Sequence, residues 1–192
     1  MNKLILTMLI FIIIYIYYII NGKNKIIFDN KTGSKIVIYN ENNEKEKEEL
    51  LKDIINNIYI LRQHMIDNID EFKEYRDYIN LLKNNLTPLR TTIYETDPLS
   101  EFTSYSVNKG EELSLCLTSK KTKELHNKNL LMYVVIHELA HMACPEIGHG
   151  PLFKKIFKKL LEESIKINIY NYEDYNNNPI EYCGMTLNSN II

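Results

Sequence analysis

His-Glu-Leu-Ala-His, residues 137–141, limits what this chain can fold into more than any other stretch. Such a match arises by chance in roughly one sequence in a hundred of this length and richness in Glu, so its surroundings decide what it means. Metal chemistry demands a helix there, because two histidines four apart then share one face and can reach one ion. Glu138 would sit beside the metal-bound water and act as general base. The surroundings comply. "NLLMYVVIHELAHMA" sets Leu131, Val134, Val135, Leu139 and Met142 at the spacing of a buried helix. Asn127 or Asn129 suits its start, and Pro145 with Gly148 ends it.

A catalytic zinc usually keeps three protein ligands and one open position. The pattern H-E-x-x-H-x-x-G-x-x-H fails, since positions 144 and 147 hold Cys144 and Ile147. His149, eight residues past His141, is the candidate third ligand, with Gly148 and Gly150 letting the chain fold back beneath the helix. Glu162 or Glu163 from the following segment would give a His-His-Glu set, and Cys144 would give a softer one.

"HELAH", then the short loop "GHGPLF" and an amphipathic helix, resembles the WLM and SprT-like zinc metallopeptidases. "NKGEELSLCL" is similar to the strand these proteins place before their zinc helix, and "YCGM" resembles WLM-like proteins of large DNA viruses. The likeness covers roughly residues 103–185. Thr118 stands where the family strand often ends in a basic residue. The resemblance implies a zincin fold, one zinc per chain and peptidase activity on a protein or peptide. Some members of the family cleave proteins crosslinked to DNA.

The chain has 192 residues and a net charge of −2, enough for one catalytic domain and a small extra element but without a strongly basic surface for nucleic acid. Its three cysteines make no paired framework, and Cys116 and Cys183 read as buried thiols in a reducing compartment. Residues Leu4 to Ile20 carry no charge and would reach about 25 Å as a helix, the short end of a membrane span. Tyr15, Tyr17 and Tyr18 fall where interfacial aromatics belong. A signal peptide or a core element are the alternatives, and the sequence after Ile20 lacks a good cleavage site. Lysines at 23, 25, 31 and 35 favour a cytosolic catalytic domain on a single-pass anchor.

"KIIFDNKTGSKIVIY" reads as two strands about a turn. A helix follows, with an apolar stripe from Leu50 to Leu61, and a second helix from about Ile69 to Leu82. The segment "TPLRTTIYETDPLSEF" reads as a loop, and "TSYSV" and "ELSLCL" as a hairpin about Asn108-Lys109-Gly110. Leu115, Cys116 and Leu117 form the expected substrate edge strand. "PLFKKIFKKLLEES" is an amphipathic helix with a lysine face, and Tyr182 in the Tyr-rich tail is a candidate oxyanion stabiliser.

The expectation is thus α+β. A zincin-like domain, 23–192, has its catalytic core at about 103–185 and carries a small antiparallel sheet or hairpin and the H-E-x-x-H helix. A membrane anchor, 1–22, precedes it. Two other functions fit the same motif: a zinc-stabilised module that binds a partner without catalysis, and a DNA–protein crosslink protease.

Overall fold

The computed structural model describes residues 3–22, 24–39 and 43–191, with the side chains of the first helix described from residue 5 to residue 17. That helix is α1, Lys3–Gly22. Strands β1 (Asn24–Phe28) and β2 (Lys35–Tyr39) follow as an antiparallel pair about the Asn30–Gly33 turn. Asp29 stabilises that turn by accepting from the Thr32 N–H and hydroxyl. Next come α2 (Glu44–Asp67), a 3-10 turn at Lys73–Tyr75, α3 (Arg76–Asn85) and β3 (Thr92–Glu95). The hairpin of β4 (Tyr105–Val107) and β5 (Glu112–Leu115) leads to α4 (Lys128–Ala143) and α5 (Pro151–Lys166). A separate small hairpin, β6 (Ile180–Tyr182) and β7 (Met185–Leu187), comes last.

The main sheet runs β1-β2-β3-β5-β4. Its centre is parallel: β3 pairs in parallel with β2 and with β5, while β1 and β4 close the two edges antiparallel. The sheet is therefore mixed and five-stranded, larger than the small antiparallel sheet expected. Helices α2 and α3 supply the crossover that a parallel β2–β3 pair needs. The stripe Leu51, Ile54, Ile55, Ile58 and Leu61 of α2 is fully buried, in one core with Ile36, Ile38, Ile93 and Leu113 of the sheet. Helix α4 lies in that core, packed on α2, α3 and α5 and touching β4 and β5.

Two sequence expectations shift. The second helix starts at Arg76 rather than near Ile69, because turns and the 3-10 segment occupy 68–75. The segment taken as a loop contains β3.

The expected single-pass anchor is corrected. Among the described residues, no helix is long and apolar enough to cross a membrane. The side chains described in α1, from Ile5 to Tyr17, are all exposed. The side chains of Leu4 and of Tyr18 to Ile20, and Lys23, on which the expectation also drew, lie outside the described residues.

Candidate metal centre

Helix α4 begins where the Asn127 side chain accepts the Leu130 N–H at 2.8 Å. It ends at Cys144, ahead of Pro145, whose ring and missing N–H cannot continue it. Nearly every face is buried, so the helix is held from all sides and its two histidines are fixed with it. His137 and His141 come one turn apart, with ring centroids 4.9 Å apart. The chain then turns at Gly148, whose φ of +86° is a conformation side chains rarely adopt, and re-enters helix at Pro151. This brings His149 back. Its Nε2 lies 3.1 Å from His141 Nε2 and 3.0 Å from His137 Nε2.

Three imidazole nitrogens this close fit a single ion. Ligands at 2.0–2.1 Å around a tetrahedral zinc stand roughly 3.3 Å apart. Phe153, one turn into α5, packs on all three rings at 4.2 to 4.9 Å and holds them as a set. The rival ligands are elsewhere. Glu163 is buried against His64, Lys159 and Lys166, Glu162 pairs with Lys158, and Cys144 is buried outside the cluster. Burial, then the neighbouring His141 and His149, holds the His137 pKa down at about 3. Burial, then His149 and Lys109, holds His141 at about 4. Both are thus neutral at pH 7, the form that binds metal.

Glu138 points into the same cleft, a cavity of about 770 Å³ that also meets Ser104, Tyr105 and Tyr182. Burial raises its carboxyl to about 7, opposed by hydrogen bonds from the Ser106 side chain and backbone. Ser106 belongs to β4, and β4 pairs with β5 on one side only. The expected substrate edge at Leu115, Cys116 and Leu117 is therefore misplaced. β5 is paired on both sides, and all three residues are buried. The open edge beside the cleft is β4. Tyr182 does reach the cleft. Its hydroxyl hydrogen-bonds Ser104 Oγ, and burial raises the phenol pKa well above its usual value.

The histidine loop is held by residues that sequence reasoning passed over. Lys109 Nζ donates to the Cys144 and Glu146 carbonyls at 2.7 Å each. Arg90 holds the Lys109 turn, donating to Lys109 O at 3.0 Å and to Asn108 O at 2.8 Å. Asn85 Nδ2 donates to Met142 O at 2.8 Å at the end of α4. The Asn108-Lys109-Gly110 turn was visible in the sequence, but no local pattern says that its lysine reaches residues 35 and 37 positions away.

Among known proteins, Uncharacterized protein R325 of Acanthamoeba polyphaga mimivirus is 43% identical over 161 residues, 84% of this chain and 81% of the other. The chain belongs to the family of that mimivirus protein. Uncharacterized protein 136R of Invertebrate iridescent virus 6 is 36% identical to it over 69 residues, 35% of this chain and 38% of the viral protein. No family model matches the chain. Among solved structures, a Wss1 mutant from Saccharomyces cerevisiae shares the fold, with a TM-score of 0.51 at 16% identity. The match covers 68% of this chain and 88% of the yeast one. The mixed α+β architecture of this chain is thus a Wss1-like fold.

Proposed function

We propose that the chain is a zinc-dependent peptidase. The observation that carries this is the meeting of His137, His141 and His149 within one ion's reach, beside the buried carboxyl of Glu138. A site with only a structural task has no need of a base at that position. Zinc bound by the three imidazoles would act as a Lewis acid on the scissile carbonyl and lower the pKa of water toward 7.

The chain's own groups supply the rest. The substrate adds as a strand to the free edge of β4, so that backbone pairing sets the scissile bond across the cleft. Glu138 takes a proton from the attacking water and hands it to the leaving amine. Ser106 donates to Glu138 and fixes its orientation. Tyr182, kept protonated by burial, donates to the oxygen on which negative charge develops.

The test is hydrolysis of unfolded casein by the full chain. Activity is expected to vanish on chelation and to return with added zinc. Activity indifferent to a chelator that strips the zinc would contradict the proposal.

Cleavage of DNA-crosslinked proteins is a second reading. Some members of the WLM and SprT-like family that the chain resembles do this, and the Wss1-like fold is compatible with it. It differs in requiring a nucleic-acid surface.

A further inference from the structure

Ligand-type side chains converge at a second place, outside the histidine cluster. Cys116 follows β5, His126 precedes α4, and Cys183 sits in the turn between β6 and β7. All three are buried, and their ligand atoms lie within 4.8 Å of one another. The two sulphurs are bonded, with Cα atoms 6.3 Å apart, where the sequence suggested two separate buried thiols. A disulfide accounts for two members of the cluster and leaves the His126 imidazole beside them. His126 Nε2 accepts the Cys183 N–H at 3.3 Å, so the imidazole lies against the sulphur-bearing turn, and an ion bound through that nitrogen would take the place of this hydrogen bond.

The turn itself is informative. Cys183 and Gly184 have φ of +50° and +90°. A two-residue hairpin turn of this kind favours Asn-Gly, and a cysteine at the first position is sterically disfavoured. Cys116 also lines a cavity of about 470 Å³ with Thr118 and Lys120.

We propose that Cys116, His126 and Cys183, when reduced, form a second metal site that takes a zinc-class ion. Two thiolates and one imidazole are a borderline-soft donor set, suited to zinc rather than to calcium or magnesium. Each thiol loses its proton on binding, so two protons leave for each ion taken up. The ion would bridge the end of β5 to the β6–β7 hairpin. Tyr182 precedes Cys183, and Ser104 Oγ both contacts the Tyr182 hydroxyl and accepts the Cys116 N–H at 3.1 Å. The site thus fastens the hairpin that carries a wall residue of the cleft. The proposal is independent of the peptidase reading.

Elemental analysis and zinc-edge X-ray absorption on the full chain, purified under reductant, test it. Wild type is expected to hold two zinc equivalents, with a sulphur shell at about 2.3 Å. Cys183→Ser and His126→Ala should each lose one equivalent, and Cys183→Ser should lose the sulphur shell. His149→Ala should lose the other equivalent and keep the sulphur. Cys144→Ser should change neither. A wild-type spectrum with no sulphur scattering, or a Cys116–Cys183 disulfide persisting in the reduced protein, would overturn the proposal. The wild-type spectrum decides even if a variant folds poorly.

Discussion

Tyr182 shows how one side chain can be readable as a candidate while its surroundings are not. Its place in a Tyr-rich tail made it worth testing, but nothing near it in sequence announces Ser104, which its hydroxyl meets 78 residues away. The same holds for Glu138. The motif identifies the carboxylate, whereas the Ser106 groups that bind it come from a strand 32 positions earlier. If Tyr182 donates to the developing oxyanion, Tyr182→Phe should lower kcat by about 10²-fold and leave KM and zinc content near wild type. An unchanged kcat would return Tyr182 to a packing role.

Elements were legible wherever one short-range period dominated. The stripe of α2, the buried α4, the amphipathic α5 and the β4–β5 hairpin each declare themselves within ten to twenty residues. Strand β3 did not, since Thr92–Glu95 is only four residues long and its partners β2 and β5 are both distant in sequence. Missing β3 hid the parallel centre of the sheet, and with it the fact that β4, not β5, is the edge at the cleft. The β6–β7 hairpin was equally silent, because its turn is Cys-Gly rather than Asn-Gly.

Two predictions belong to the connections between elements. Lys109 ties the β4–β5 turn to the loop that carries His149, so Lys109→Met should weaken zinc affinity by about 10- to 100-fold in chelator competition, as loss of supporting contacts around metal ligands does. Unchanged affinity would show that the loop holds itself. Glu163 ties α5 to α2 through His64 at 2.9 Å. Burial alone would raise its pKa, but hydrogen bonds from His64, Lys159 and Lys166 bring it down to about 2. A carboxyl whose folded pKa lies below its unfolded value of 4.5 stabilises the fold above that value. The contribution fades as the pH falls from about 4.5 toward about 2. Glu163→Gln should therefore lower stability in urea by about 1.5–3 kcal/mol at pH 7 and flatten the loss between pH 5 and 2, while zinc content stays unchanged. Loss of zinc in this variant would revive the His-His-Glu set.

At the scale of the whole molecule, charge separates the two peptidase readings. Net charge is −2, and several basic groups are already engaged: Lys155 with Glu74, Lys158 with Glu162, and Lys159 and Lys166 with Glu163. The lysine face of α5 is thus partly neutralised by its own protein. Binding to single- or double-stranded DNA is expected to be weaker than micromolar at physiological salt, read by fluorescence anisotropy. Nanomolar binding, or proteolysis that requires added DNA, would make crosslink cleavage the leading function.

The central claim is that three histidines hold the metal and Glu138 moves the proton, so the decisive measurement is zinc content and casein hydrolysis on the same preparations of wild type, Glu138→Gln and His149→Ala. Glu138→Gln should retain the zinc of the wild type and lose about 10²- to 10⁴-fold in rate. His149→Ala should hold one zinc equivalent less than wild type and be inactive. A Glu138→Gln protein as active as wild type, or a His149→Ala protein with its full zinc, would contradict the account.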